Sequence, residues 1–218
     1  MIVTLDGPAG AGKSTTARAL AARLGWCYMD TGAMYRAVAF VAIERGISLQ
    51  DFDALASLAS SMTFEFHDGL VVVDGKDVSL EIRSDRVTQA TRSVADAALV
   101  REAMKRLQRN IAHALVDVVT EGRDQGSVVF PQAAIKVYLT ASPHARARRR
   151  YEEQIAQGKK VLLEEILAAQ SQRDEGDRTR DIGAMKPADD AVIVNTDNLS
   201  CEEVVDRLVS MVRLRRGA

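Results

Sequence analysis

The chain has 218 residues, 47% of them hydrophobic and 27% charged, which fits one ordinary globular domain able to bury a core without staples. Lys and Arg number 29 against 30 Asp and Glu, a formal charge of −1, whereas a general binder of long nucleic acid is strongly basic. Cys27 and Cys201 alone make no disulfide framework, the N-terminus lacks the basic start of a signal peptide, and the charge-free runs at 54–64 and 125–135 fall short of the about 20 residues of a membrane span.

Ile2-Val-Thr-Leu-Asp6 is a continuous apolar run that ends in glycines, the pattern of a buried parallel strand. Over 15–24 the apolar residues Ala17, Leu20, Ala21 and Leu24 recur at helical spacing, and Gly25 can close that helix. Residues 26–29 make a short strand, Asp30 and Thr31 cap a helix over 33–45, and Gly46 stops it. The texture then changes. Segments 63–67 and 70–73 flank Asp68-Gly69, and Asp74-Gly75-Lys76 follows. Asp-Gly between β-rich runs marks hairpins, so a small antiparallel sheet interrupts the alternating chain. A helix over 99–115 leads into a strand at 116–121, and a strand at 135–140 into a very basic helix over 143–156. A helix over 162–172 follows the turn at Gly158, and a last strand occupies 191–194. Ser200 with Glu203 forms a capping box for the terminal helix. Strands alternating with helices specify an α/β fold, a mainly parallel sheet with helices on both faces.

The segment Gly7-Pro8-Ala9-Gly10-Ala11-Gly12-Lys13-Ser14, followed by Thr15, matches G-x-x-x-x-G-K-[ST] in full, between a strand and a helix. Its glycines let several N–H groups turn into one concavity, and the helix N-terminus adds partial positive charge there. Lys13 can reach the β- and γ-phosphates, and the Ser14 hydroxyl suits Mg²⁺. Binding of a nucleoside triphosphate follows. No Asn is followed by Lys, so a guanine signature is missing, and Asp117-Val-Val-Thr-Glu121 lacks the apolar run of a motor ATPase. A small kinase is the leading class.

A kinase holds two polyanions together, so its acceptor end calls for arginine, whose fork grips phosphate. Arg36 follows Thr31-Gly-Ala-Met-Tyr35. Arg123, in Glu121-Gly-Arg-Asp124, follows a core strand, where ligands of open sheets bind. Arg173, Arg178 and Arg180 fall in a stretch read as irregular. Residues 146–186 carry ten basic and eight acidic side chains. They read both as solvated helices laced with ion pairs and as a lid that brings Arg146 and Arg150, four residues apart, to the transferring phosphoryl group.

The chain resembles the bacterial cytidylate kinase (CMP kinase) family of nucleoside monophosphate kinases. The resemblance runs almost end to end. It rests on Leu5-Asp-Gly-Pro-Ala-Gly-Ala-Gly-Lys-Ser-Thr15, Asp30-Thr-Gly-Ala-Met-Tyr-Arg36, Val100-Arg-Glu102 with Gln108-Arg109, Gly122-Arg-Asp-Gln-Gly-Ser-Val-Val-Phe-Pro131, Arg173-Asp174 with Asp177 and Arg180, and Leu199-Ser200 with Glu203-Val204-Val205. It implies a P-loop kinase fold with a core at about 1–35, 99–145 and 181–218, a monophosphate-binding lobe at about 36–98 and a lid at about 146–180. It also implies transfer of the γ-phosphoryl group of ATP to CMP or dCMP with Mg²⁺, by a cytoplasmic monomer with neither membrane nor long nucleic acid as partner. By position, Arg36, Arg123 and Arg180 hold the acceptor phosphate, and Arg173 and Asp177 meet the ribose. Arg101 and Asp124 read the cytosine, which offers an amine donor to Asp and acceptors to Arg. Thr31 and Tyr35 line the same pocket, and Glu121 serves Mg²⁺ through water. The chain departs from the family pattern at Arg92 for a usual Ser, Glu121 for Asp, Gln125 for an aliphatic residue and Ala184 for Pro.

The implied nucleophile is a phosphate oxygen already anionic at neutral pH, so none of His67, His113 and His144 is needed as a base. Two other readings remain open on the sequence. One is a different small P-loop kinase, shikimate-type or acting on another monophosphate. The other is a non-catalytic nucleotide-binding or RNA-contacting module, against which the intact Lys13 and Ser14 and the 5% aromatic content weigh.

Overall fold

The computed structural model describes residues 1–67 and 70–217. In chain order the elements are β1 (Ile2–Asp6), α1 (Lys13–Leu24), β2 (Cys27–Asp30), α2 (Thr31–Glu44), α3 (Phe52–Ser61), β3 (Phe64–His67), β4 (Leu70–Val73), β5 (Lys76–Asp77), α4 (Asp85–Asp96), α5 (Ala98–Ala114), β6 (Val118–Glu121), β7 (Ile135–Thr140), α6 (Pro143–Ala156), α7 (Leu163–Arg178), β8 (Val192–Asn195) and α8 (Cys201–Gly217). A 3-10 turn lies at Glu81–Arg83 and a π-helical turn at Gln125–Val129. The chain divides into two compact units, Met1–Trp26 with Val119–Ala218, and Cys27–Val118.

In the first unit the strands lie in the order β6-β1-β7-β8. β1 pairs parallel with β7 from Val3↔Ile135 to Asp6↔Tyr138, and β7 with β8 from Val137↔Val192 to Thr140↔Asn195. Helices lie on both sides of the parallel sheet, as the strand–helix alternation requires. Leu5, Leu20, Leu139 and Leu208 are fully enclosed, each contributing about 2 kcal/mol by leaving water. β1 has β6 on one flank and β7 on the other, and Gly122 N–H donates to the Leu5 carbonyl at 3.0 Å. The loops leaving β1 and β6 therefore emerge side by side, the place where open α/β sheets bind ligands. At the chain's end, Ser200 and Glu203 make the expected capping box: the Glu203 N–H donates to Ser200 Oγ at 3.2 Å, and the Ser200 N–H to Glu203 Oε2 at 2.8 Å.

The second unit contains the antiparallel insert. β3 and β4 pair from Phe64↔Val73 to His67↔Leu70, and β4 and β5 from Val72↔Asp77 to Val73↔Lys76. Asp74 and Gly75 take φ of 49° and 78°, the left-handed pair that a two-residue hairpin turn needs. The other expected turn, Asp68-Gly69, lies outside the described residues. Asp30 Oδ1 accepts from the Ala33 N–H at 2.8 Å, so α2 begins at Thr31 rather than 33.

Three differences from the sequence expectations have physical causes. α3 and α4, left unassigned, start on side-chain caps, Asp51 to Ala54 N–H and Ser84 to Val87 N–H. They bury Leu55, Leu58 and Ala59, and Val87, Ala90 and Val94. The Ser, Thr and Val of α4 are poor helix material that packing against α2 overrides, whereas α3, with three Ala and two Leu, is good helix material that packs on α5. α7 runs on to Arg178, so Arg173 and Arg178 are helical and only Arg180 lies in irregular chain. Finally, 116–117 is a turn rather than strand. Asp117 N–H donates to the Leu115 carbonyl at 2.5 Å, closing a three-residue γ-turn about Val116 at φ 56°.

A β-branched residue in the left-handed region is an outlier, and the conformation costs about 1–2 kcal/mol. Val116 is 77% exposed, so its side chain offsets little of that. Val116→Asn is expected to raise the unfolding free energy by about 1 kcal/mol, read as a higher urea midpoint. An unchanged or lower midpoint contradicts the strain.

Candidate active site

The phosphate loop leaves β1 through Gly7, at φ 140°, where a Cβ would lie 2.0 Å from the Leu139 carbonyl oxygen of β7. Only glycine fits. Gly12, at φ 90°, turns the chain into α1. Lys13 is buried, and its Nζ donates to the Pro8 carbonyl across the loop at 2.8 Å. Burial pushes its pKa down to about 7; Arg123 and Arg173 push the same way, Glu121 and Asp6 against it. Ser14 Oγ donates to Glu121 Oε1 at 2.5 Å. A hydroxyl and a carboxylate side by side, at the end of a core strand, are hard oxygen donors of the kind Mg²⁺ takes beside phosphate oxygens.

Asp6, the last residue of β1, accepts from two successive N–H groups, Gln125 at 2.8 Å and Gly126 at 2.7 Å. Burial raises its pKa to about 6 against these two hydrogen bonds. The carboxylate thus fixes the start of the π-helical turn, and with it Arg123 and Asp124 just before. Gly126 permits the approach, because a Cβ there would meet Thr4 Oγ1 at 2.8 Å. The buried Gln125 side chain accepts from Thr120 Oγ1 at 3.0 Å.

Arg123 Nε donates to Asp177 Oδ2 at 2.8 Å, and Arg180 Nη2 to Asp177 Oδ1 at 2.8 Å. One carboxylate thus holds two guanidinium groups. Burial favours the neutral form of each partner, but the opposite charges win: Arg123 is held above its usual value, and Arg123, then Arg180, keep Asp177 below its own. Arg146 is 3% exposed and donates to the carbonyls of Ala141 and Ala9 and to Asp174. Arg150 turns outward to Glu153 at 3.0 Å, half exposed. Arg173 lies in α7 one residue before Asp174, close enough to Lys13 and Asp177 to bear on their ionisation.

The remaining candidates belong to the second unit. Thr31 is buried at the first turn of α2. Arg101, on α5, lies 5.8 Å over the Tyr35 ring centroid and donates to the Ala95 carbonyl at 3.2 Å. Arg36 donates to Thr88 Oγ1 at 2.7 Å and weakly to the Ile82 carbonyl at 3.4 Å. The first unit therefore gathers Lys13, Ser14, Glu121, Arg123, Asp177 and Arg180, and the second unit Tyr35 with Arg101. Arg92 is exposed and pairs with Asp96 at 3.7 Å. Sequence reasoning missed Asp6, Asp174 and Thr88 as site supports. A carboxylate directly before the phosphate-loop glycine was a readable signal for Asp6; the others depend on helix extents the sequence left open.

The model of the cytidylate kinase family matches residues 3–214. The chain is 46% identical over 213 residues to the cytidylate kinase of Rhodopirellula baltica, covering 98% of this chain and 93% of the relative. It is 42% identical over 221 residues to that of Rhodococcus opacus, covering 100% and 96%. The crystal structure of an uncharacterized protein from Eubacterium ventriosum superposes with a TM-score of 0.55, over 98% of each chain at 10% identity, a likeness of fold alone. No helix among the described residues is long and apolar enough to cross a membrane.

The burial of Lys13 gives a testable proton linkage. Its folded pKa, about 7, lies below the ordinary 10.5. The buried charge thus costs stability below pH 7, a cost that fades as pH climbs towards 10.5. At pH 8.5 the free lysine is mostly neutral, and a phosphate against it restores the charge. Binding of a nucleoside triphosphate at pH 8.5 is expected to take up about one proton, measured by calorimetry in buffers of different ionisation enthalpy. Lys13→Met abolishes the uptake. Parent binding heats that do not depend on the buffer contradict the linkage.

Proposed function

The chain belongs to the cytidylate kinase family, and on that premise we propose that it transfers the γ-phosphoryl group of ATP to CMP or dCMP, giving ADP and CDP or dCDP. The observation that carries this reading within the molecule is the pairing of two anion sites in one unit. The phosphate loop ends β1, and the Arg123–Asp177–Arg180 cluster stands at the end of the neighbouring β6.

The loop N–H groups and Lys13 take the triphosphate. Ser14 and Glu121 would hold Mg²⁺, directly or through water; when bound, it neutralises phosphate charge. Arg36, Arg123 and Arg180 hold the acceptor phosphate, Arg173 and Asp177 the ribose, and Arg101, Asp124, Thr31 and Tyr35 the cytosine, each on its match to the family pattern. Arg101 is suited to base reading because Tyr35 and Ala95 already fix its guanidinium plane. Asp177 sets the angle of Arg123 and Arg180, which lowers the ordering cost of gripping phosphate. The acceptor oxygen is anionic, so no side chain need remove a proton. Catalysis is placement and charge neutralisation. The segment 146–180, which holds α6 and α7, is read as a lid that excludes water.

A panel of acceptors with Mg-ATP tests the reading. CMP and dCMP are expected to support ADP formation far better than AMP, UMP or shikimate, and omission of the acceptor to stop it. Rates with AMP or shikimate equal to those with CMP contradict the substrate assignment. Lys13→Ala is expected to lower kcat by about 100-fold or more with the unfolding transition intact, and a near-parental kcat contradicts the role of the loop.

A further inference from the structure

Both backbone polar groups of a single phosphate-loop residue, Ala9, are gripped by one buried ion pair. The Ala9 N–H donates to Asp174 Oδ1 at 3.2 Å, and the Ala9 carbonyl accepts from Arg146 Nη1 at 2.9 Å. Arg146 and Asp174 are 3% and 1% exposed and bound to each other at 2.5 Å. Arg146 Nε is tied to the Ala141 carbonyl, just past β7, at 3.1 Å. The fit is close: a Cβ on Gly10 would lie 3.0 Å from Arg146 Cβ and 3.1 Å from Gln170 Nε2. Arg146 stands in the first turn of α6 and Asp174 in the last turns of α7. The clamp therefore sits at the base of the helix pair, away from the 157–162 connection.

α7 carries a second attachment on the same face. Asp177, three residues beyond Asp174, holds Arg123 and Arg180. Residues three apart on a helix are surface neighbours. A single turn of α7 thus touches the triphosphate loop through Asp174 and the acceptor-side arginines through Asp177.

We propose that Arg146 and Asp174 are positioning residues for the donor site. Their ion pair holds the loop at Ala9 in its phosphate-binding shape and, through the last turns of α7, ties that shape to the arginines of the acceptor phosphate. The guanidinium of Arg146 is spent on Asp174 and two carbonyls, so it acts on phosphate through the loop and not by touching it. This inference rests on the kinase reading for the identity of the two ligands. The base of the α6–α7 pair is anchored, and closure of the lid is left to the turns nearer the 157–162 connection.

The test uses the full chain and a non-hydrolysable ATP analogue with Mg²⁺. Removing Asp174 alone strands a buried cation, so the informative change is the double variant Arg146→Met with Asp174→Leu. Exchange of a buried ion pair for apolar residues is often neutral for folding, and water can reach the part-buried Ala9 groups. The double variant is expected to bind the analogue about tenfold more weakly, the scale of an ångström-level misplacement. Its affinity for CMP alone stays within about twofold, since Arg123 and Arg180 keep their own attachment to Asp177. In the parent the analogue tightens CMP binding by about fivefold, and in the double variant that factor falls towards one. Arg146→Lys, which keeps the charge but not the reach to both carbonyls, gives intermediate losses and serves if the double variant does not fold. A folded variant with parental affinity for the analogue overturns the clamp, and a parent in which the analogue leaves CMP binding unchanged overturns the link through α7. Failure of the kinase reading shows separately, as a parent that makes no ADP with CMP, while binding of the analogue still reads the clamp.

Discussion

The site depends on how its buried cations are partnered. Lys13, Arg123, Arg146 and Arg180 are all drawn out of water in one unit, and unpaired charges in such a place are costly. Each has a specific partner. Asp177 takes two guanidinium groups at once, Asp174 takes the third, and Lys13 leans on the Pro8 carbonyl. Lys13 is the exception in kind, because its hydrogen-bond partner is a neutral carbonyl, and burial pushes its pKa down. The formal charge of −1 therefore does not describe a protein indifferent to polyanions. It describes one whose acids lie beside the basic groups a ligand will use.

The backbone beneath this arrangement is equally constrained. Gly7 passes so close to Leu139 that no side chain is tolerated, and a Cβ on Gly126 would crowd the Thr4 hydroxyl. Asp6 joins the two strand ends, receiving the first N–H groups of the π-helical turn while standing directly before the phosphate loop. π-helical turns are rare and collect at functional sites. Here the turn aims Arg123 towards Asp177, and a buried carboxylate supplies the partners its unusual start requires. Gln125 shows how such a network accommodates a buried polar side chain. Its amide oxygen finds the Thr120 hydroxyl, so a polar side chain is buried without an unmet acceptor.

The parts of the fold legible in the sequence were those with strong local physics. The strand before Gly7, the left-handed stop at Gly25, the Asp74-Gly75 turn and the Ser200–Glu203 box each rest on chemistry within a few residues. α3 carried readable signals that went unused, the Asp51 cap and its Ala and Leu, whereas α4 was not legible, because its Ser, Thr and Val are weakly helical and tertiary packing decides it. The end of α7 was missed for a related reason: Arg-Asp-Glu-Gly-Asp-Arg reads as a polar loop until Asp174 and Asp177 are seen to be held from outside the helix. Within the site, the loop followed from its spacing and Arg123 from its place after a strand. That Arg146 and Arg150 part company was hidden, since a spacing of four residues shares a helix face but does not say which end of the side chain is buried.

The central claim is that these charges exist to move a phosphoryl group between two bound anions. The most direct measurement is ³¹P NMR of the purified chain with Mg-ATP and CMP, following every phosphorus signal at once. The account predicts that the γ signal of ATP is lost as β signals of ADP and CDP grow in equal amounts, with no inorganic phosphate. Growth of inorganic phosphate without CDP would contradict it.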